Sequence, residues 1–187
     1  MAYVAWSVVF GEQPSAAKWN ILGSNDASFN DGTGIANLEF GSGKTAVKVS
    51  HKFRAYRNSA QNTSGGSYAK INFDSENFDT GNNFDSSTNY RFTAPVAGFY
   101  QFSGAVNLPT GGTTILILTL YKNGVEVSRG NQIANTATTN SNGAVVTDLL
   151  QLSSSDYVEA YVYCNGTVAI TTGSVYTYMS GCLFSQT

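Results

Sequence analysis

The side chains that most often perform acid–base or nucleophilic chemistry are scarce in this sequence. His51 is the only histidine, and it lies near Lys48 and Lys52, so we expect an exposed, solvated ring. Within one chain, a Ser-His-Asp or Cys-His set would have to use this ring, and no G-x-S-x-G nucleophile elbow is present. The sequence therefore predicts a protein that is not an enzyme.

One glycine-rich run invites comparison with a phosphate-binding loop. Residues 41–45, Gly-Ser-Gly-Lys-Thr, have the G-K-T ending of that motif. The motif also needs an earlier glycine, where Leu38 stands here, and a helix directly after the loop. The sequence predicts neither feature, so we do not expect nucleotide binding.

An acidic cluster lies in a stretch predicted to be rich in loops, and it consists of Asp74, Glu76, Asp79 and Asp85. Paired carboxylates could hydrolyse glycosides, and several carboxylate oxygens could bind calcium. The simpler interpretation is that these are turn carboxylates among Asn and Ser residues. Calcium stays a secondary hypothesis, and no other cofactor is predicted.

The two cysteines, Cys164 and Cys182, are far from any metal-ligand spacing. Two interpretations remain open for them. They are either two small buried hydrophobic residues in neighbouring strands, or the halves of a disulfide that crosses between sheets.

Composition limits the class of partner. Charged residues make up only 12% of the 187, and 10 Lys and Arg against 12 Asp and Glu give a net charge of −2. Such a chain lacks the basic field that a phosphate backbone requires, so nucleic acid is not a predicted partner. The apolar first ten residues lack a basic start and are too short to span a bilayer, so we expect neither a signal peptide nor membrane insertion.

From Phe53 onward, short runs of β-branched and aromatic residues alternate with Gly, Asn, Asp and Ser turns. This pattern predicts an all-β fold, a sandwich or jelly roll. Asn123-Gly124 is a strong signal for a two-residue hairpin turn, because both residues tolerate positive φ. The ten predicted strands are Lys52–Tyr56, Tyr68–Phe73, Tyr90–Thr93, Phe99–Leu108, Thr114–Lys122, Val125–Ile133, Gly143–Leu152, Tyr157–Cys164, Val168–Thr171 and Val175–Phe184.

Alternation along the strands predicts which side chains face the core. One face of the strand near residue 100 carries Tyr100, Phe102 and Val106, and the strand near residue 160 buries Val158, Ala160 and Val162. The opposite faces carry more apolar and aromatic surface than a monomer needs, which favours a subunit interface. The interface candidates are Ile115, Ile117, Tyr157, Tyr161, Tyr163, Tyr176 and Tyr178.

Five short blocks of sequence together carry a resemblance to a known family. The most specific is residues 92–103, which match the pattern F-x-x-P-x-x-G-x-Y-x-F-S at every anchor. Residues 53–187 therefore resemble the C1q/tumour-necrosis-factor family, with Cys182 where an aromatic is usual. The resemblance implies a ten-stranded jelly-roll sandwich that assembles as a homotrimer. The other blocks are residues 53–56 with 71–73 and 77–79, residues 120–124, residues 150–158 and residues 180–184.

Residues 1–50 differ from this predicted head, residues 51–187. We expect a short helix over residues 14–23, a helical turn ending at Gly32, and a loop or linker from Gly32 to Lys44. The segment resembles the leading segment of some bacteriophage and prophage structural proteins, which implies anchoring to other virion proteins. The anchor candidates are Trp6, Trp19, Ile21, Leu22 and Phe29.

Together these features predict a trimeric fibre, spike or decoration component of a phage-like particle, assembled in the host cytoplasm. Its head would recognise a host-surface glycan or protein, and residues 62–67 and 135–142 are the expected variable loops. A bacterial surface or spore-coat protein that functions by trimerising is the alternative. A polysaccharide-degrading tail enzyme is the third.

Overall fold

The structure is a computed structural model that describes residues 38–41, 44–47, 51–109, 115–134 and 141–187, with only the backbone described in the first two ranges. Contacts between Cα atoms divide the chain into two units, Met1–Lys48 and Val49–Thr187. The predicted helix over residues 14–23, the turn ending at Gly32 and all five anchor candidates lie outside the described residues. They therefore stay predictions.

The described part of the first unit is an antiparallel pair of strands, β1 (Leu38–Gly41) and β2 (Lys44–Val47). Leu38 lies opposite Val47, and Gly41 lies opposite Lys44. The prediction of a loop or linker from Gly32 to Lys44 is therefore wrong for residues 38–41 and for Lys44. Apolar residues alternate along residues 38–40, and β-branched residues occur in the partner, so the two short runs suit a paired strand. A strand begins at Lys44, where a phosphate-binding loop would need a helix.

The described part of the second unit is all-β, as predicted, and its strands form two antiparallel sheets packed as a jelly-roll sandwich. The strands are β3 (Lys52–Tyr56), β4 (Ser67–Lys70), β5 (Ser75–Thr80), β6 (Phe84–Asp85), β7 (Arg91–Thr93), β8 (Gly98–Leu108), β9 (Ile115–Lys122), β10 (Val125–Ala134), β11 (Asn142–Leu152), β12 (Tyr157–Cys164) and β13 (Tyr178–Gln186).

The five-stranded sheet has the order β11-β8-β13-β3-β5, and the six-stranded sheet has the order β10-β9-β12-β7-β6. Strand β4 also belongs to the six-stranded sheet and pairs with residues 161–164 of β12, next to the pairing of β7 with residues 157–158. Two strands, β5 and β6, were not among the ten predicted, because β5 is a polar edge strand and β6 has only two residues. The predicted strand Val168–Thr171 is wrong, since only an isolated bridge joins Asn62 to Ala169 there.

The core lies between the sheets and confirms the predicted alternation. Tyr100, Phe102 and Val106 are buried, as are the three inward residues of β12. The Phe53 ring stacks at 4.9 Å, centroid to centroid, on both Phe84 and Phe92. Burying each such side chain contributes about 1.5–3 kcal/mol to folding. The aromatic anchors of the 92–103 block are thus core residues, which explains the block without any chemistry.

One edge of the sandwich is closed by contact between β10 and β11. The Val145 amide donates to the Asn131 side chain at 2.8 Å. The Ser128 hydroxyl donates to Asp148 of β11. Gly130 makes the contact possible, because a Cβ at this position would lie 1.9 Å from the Val145 carbonyl oxygen. A glycine at this point therefore sets how closely the two sheet edges meet.

Candidate functional site

The described residues contain no group of three or more His, Cys, Asp or Glu side chains that could hold a metal ion. The prediction of a fully solvated His51 is wrong, because the residue is half-buried and its Nδ1 lies 3.4 Å from the Asn83 amide nitrogen. Within the same residues, no helix is long and apolar enough to cross a membrane.

The four acidic residues are dispersed among separate roles. Asp74 accepts hydrogen bonds from the amides of Asn58 and Ser59, at 2.7 and 3.0 Å, and pairs with Arg57 at 3.1 Å. Burial alone would raise the pKa of Asp74, but these hydrogen bonds and the guanidinium lower it below its ordinary value. Asp74 is therefore a structural carboxylate.

Two of the remaining carboxylates lie on a strand and not in a loop, which corrects the predicted loop-rich stretch. Glu76 and Asp79 belong to β5, and Asp79 accepts a hydrogen bond from the Phe84 amide at 2.7 Å. Asp85 accepts hydrogen bonds from the backbone amides of residues 87–89 at 2.9–3.0 Å. Hydrogen bonds from the Thr88 and Ser87 amides hold the pKa of Asp85 well below its usual range. A carboxyl group whose ionised form is favoured in this way is poorly suited to donate a proton as the general acid of a glycosidase.

Glu76 and Asp85 border an open cleft of about 570 Å³ that the sequence did not reveal. Its other walls are mainly Asn, Ser and Thr side chains from β7, from the turns on both sides of β6 and from the turn before β12. A deep catalytic pocket is usually lined by apolar side chains with a few convergent polar groups. This cleft has the opposite composition, so it offers hydrogen bonds but little apolar contact.

The cysteines carry free thiols, which excludes the disulfide interpretation. Cys164 is fully buried in the core, as the simpler interpretation expected. Cys182 is only half-buried, on the outer side of the five-stranded sheet, so the prediction that both are buried is wrong for it. They also lie on strands of different sheets, β12 and β13, and are not in neighbouring strands.

The outer side of the six-stranded sheet carries four tyrosines in contact, which we call the tyrosine face: Tyr68, Tyr121, Tyr161 and Tyr163. Ring centroids lie 4.2 Å apart between Tyr121 and Tyr161. They lie 5.3 Å apart between Tyr68 and Tyr163, and 6.3 Å apart between Tyr68 and Tyr121. The arrangement follows from pairing, because Tyr163 lies directly opposite Tyr68 of β4, and Tyr161 lies opposite Thr119 of β9.

Charged side chains on the tyrosine face neutralise one another. Lys70 pairs with Glu159 at 3.0 Å, and Arg129 pairs with Glu126 at 2.7 Å. The Arg129 guanidinium also lies 6.0 Å from the centre of the Tyr68 ring. Partial burial is the main reason that the pKa values of three of these tyrosines, Tyr68, Tyr121 and Tyr161, are raised. Their hydroxyls stay protonated at neutral pH and can both donate and accept hydrogen bonds.

The outer side of the five-stranded sheet is different, because its large apolar side chains remain exposed. Phe78, Phe99, Val145 and Leu149 are exposed by 46%, 36%, 57% and 46%. We call these four residues the apolar face. On the same side, the Gln101 amide donates to Thr147 at 2.9 Å, and the Arg54 guanidinium lies 4.3 Å from the centre of the Tyr178 ring. Val145 and Leu149 of β11 and Phe99 of the adjacent β8 form one group, whereas Phe78 lies on β5 at the opposite edge of the sheet. A group of exposed apolar side chains of this kind marks an interaction site.

The predicted interface candidates do not form one surface. Five of the candidates are at positions on the outer side of the six-stranded sheet: Ile115, Ile117, Tyr157, Tyr161 and Tyr163. Tyr178 lies on the outer side of the five-stranded sheet. Tyr176 precedes β13 and is 50% exposed. Ile117 is only 5% exposed already in the single chain, so its burial needs no partner. The sequence analysis missed all four residues of the apolar face.

Comparison with known proteins defines the class. The chain belongs to the C1q domain family, which it matches over residues 52–184. The globular domain of zebrafish complement 1qA protein is similar in structure, with a TM-score of 0.57, 17% identity, and coverage of 74% of this chain and 99% of that one. No curated protein matches the chain.

Two further solved structures share the fold at lower identity. Eiger TNF from S. frugiperda gives a TM-score of 0.58 with 8% identity, covering 73% of this chain and 94% of that one. Murine APRIL gives a TM-score of 0.57 with 9% identity, covering 72% and 98%. C1q and tumour-necrosis-factor domains typically form homotrimers, and the family is typically non-enzymatic.

Proposed function

We propose that this protein is a non-enzymatic recognition or structural module that forms a homotrimer through its apolar face. The apolar face carries the proposal, because its four large side chains stay exposed on the outer side of one sheet. Stable interfaces bury about 800 Å² per partner. Removing apolar surface from water contributes about 25 cal/mol per Å², so covering this face with a second copy is favourable.

The finer role that we propose is a fibre, spike or decoration component of a phage-like particle, located in the virion, with the head displayed for host-surface recognition. The weakly charged composition and the resemblance of residues 1–50 to virion structural proteins support it. The dispersed carboxylates favour binding over polysaccharide hydrolysis, since the ionised Asp85 bordering the cleft is unsuited to proton donation.

Light scattering on the full-length protein tests the assembly. We expect the mass of three chains for the wild type and of one chain for the double variant Val145→Asp/Leu149→Asp, because burying carboxylates in an apolar interface is costly. Val125→Asp is the matched control, since Val125 is 65% exposed next to the β9–β10 turn and belongs to the other sheet. A monomeric wild type, or a double variant that stays trimeric, contradicts the proposed assembly.

Antibody labelling tests the location. Antibody against the purified protein should decorate particles sedimented from a lysate of the source culture, as seen by electron microscopy. Labelling of the cell envelope or spore surface without particles would instead favour the surface or spore-coat alternative.

A further inference from the structure

We propose that the tyrosine face is a binding site for a neutral carbohydrate chain. The inference deepens the proposed recognition function and rests on it. It places binding on the outer side of the six-stranded sheet, away from the apolar face, and assigns it to Tyr68, Tyr121, Tyr161 and Tyr163.

The rings are arranged before any ligand arrives. They project from three adjacent strands, β4, β12 and β9, whose pairing fixes their spacing. Neighbouring strands are about 4.8 Å apart, so the cluster extends over a surface long enough for a short oligosaccharide. Each ring is half-buried and contacts another ring. Little side-chain freedom is therefore lost on binding, which lowers the cost of association.

The chemistry of the face matches sugar residues. Aromatic rings present flat apolar surfaces to the C–H groups of a sugar ring, while phenolic hydroxyls bond its hydroxyl groups. The polar rim is supplied by Lys70, Glu159, Glu126 and Arg129, and each of these charges already has an opposite charge within 3.0 Å. A charged chain would have to break these pairs, whereas an uncharged one can accept and donate hydrogen bonds around them.

A protein partner fits this face less well than a carbohydrate. The face contributes none of the large hydrophobic side chains that the described residues leave most exposed. Of those on the five-stranded sheet, Phe78, Phe99, Val145 and Leu149 form the apolar face, and Phe184 of β13 is exposed as well. A hydrophobic protein surface would therefore gain more by covering the apolar face, which leaves the tyrosine face to a polar ligand with small apolar patches.

Isothermal titration calorimetry with the full-length protein tests the site. The probes are maltohexaose, cellohexaose, laminarihexaose and xylohexaose, with hexagalacturonate as the charged comparison. We expect at least one neutral probe to bind. Tyr121→Ala and Tyr161→Ala should each weaken that binding tenfold or more, and Tyr121→Phe should weaken it less because the ring remains. Tyr176→Ala, which removes an exposed tyrosine outside the face, should bind as the wild type does.

The outcomes separate this inference from the proposed function. If a neutral probe binds and the two alanine variants bind it equally well, the site is overturned while glycan recognition stands. If only hexagalacturonate binds, or no probe binds, the inference is overturned, and the trimer is still judged by its mass. Thermal unfolding of each variant shows whether it is folded. If an alanine variant does not fold, Tyr121→Phe still tests the site.

Discussion

Asn123 and Asp156 tie two turns of the head together through their side chains. Asn123 Nδ2 donates to Asp156 Oδ1 at 2.7 Å, and Asn123 Oδ1 accepts the Tyr157 amide at 2.9 Å. Asp156 Oδ2 accepts the Ser153 amide at 2.8 Å and pairs with Lys122 at 2.9 Å. The β9–β10 hairpin and the turn before β12 are thus one hydrogen-bonded unit, although 33 positions separate the two residues in sequence.

This unit makes stability depend on pH. Hydrogen bonds from Asn123 and Lys122 lower the pKa of Asp156 from 3.8 to about 2. The stabilisation that ionised Asp156 provides is therefore fully present above pH 3.8, the pKa of the group in the unfolded chain. It is lost as the pH falls through about 2, the pKa in the folded protein. We expect Asp156→Asn to lower the free energy of unfolding by about 1 kcal/mol at pH 7, a value reduced for solvent screening.

Guanidinium unfolding at pH 7, 4 and 2.5 measures this difference, which should narrow at the lowest pH. The control is Glu126→Gln, which breaks a more exposed ion pair with Arg129 and should cost less than about 0.5 kcal/mol. A difference that stays constant with pH would contradict the assignment.

Gly130→Ala tests the closed edge of the sandwich. A methyl group there would lie 1.9 Å from the Val145 carbonyl oxygen, so β10 and β11 must separate. We expect a loss of about 2 kcal/mol or more in the free energy of unfolding, as for other overpacking changes. Gly166→Ala is the matched control, because the nearest atom to its added Cβ is 3.7 Å away. Equal stability of the two variants would show that this edge is not closely packed.

Arg57 is a buried cation with several specific partners. Its guanidinium donates to the carbonyls of Asn72 and Ala60, at 2.6 and 2.7 Å, besides pairing with Asp74. Lysine keeps the charge but lacks the planar fork, so we expect Arg57→Lys to cost about 2 kcal/mol. Arg129→Lys, which alters an exposed ion pair, should leave the free energy of unfolding nearly unchanged. Chemical denaturation measures both, and similar losses would contradict the specific role of Arg57.

The two thiols report on assembly. Cys164 is fully buried, so we expect a maleimide to react with it only after unfolding. Cys182 lies opposite Gln101 and Lys52 on the outer side of the five-stranded sheet. It should react at least tenfold faster in the dissociated Val145→Asp/Leu149→Asp variant than in the wild-type trimer. Mass spectrometry of labelled peptides follows both rates, and equal rates for Cys182 would place the interface elsewhere.

Much of the fold could be predicted because its signals are local. Alternation correctly predicted that Tyr100 and Phe102 are buried. The Asn123-Gly124 turn has positive φ angles, as predicted, with values of 51° and 80°. β5 is missing from the strands predicted by alternation because it is an edge strand of mostly polar residues, whose pairing with β3 depends on distant sequence. The run at Val168–Thr171 has strand-like residues, but it finds only one bridging partner.

The candidate surfaces depended on information that alternation does not contain. Alternation put Tyr161 and Tyr163 on an outer face, but it could not show that Tyr68 and Tyr121 come from other strands to cover them. These ring contacts cover much of the aromatic surface that alternation assigns to a subunit interface. Conversely, Val145 and Leu149 lie on β11, a strand with apolar residues on both of its sides. Only the sheet order shows that the side carrying Val145 and Leu149 is not covered by another layer of the described residues.

The apolar face and the tyrosine face belong to opposite sheets of the sandwich. A trimer that buries the first would therefore present three copies of the second around its outside. A single weak contact with a sugar chain would then be followed by intramolecular ones, because the remaining copies are held at high effective concentration near a repetitive polymer. Such avidity can strengthen attachment by about 10² to 10⁴ over one site, without any further contact within each head.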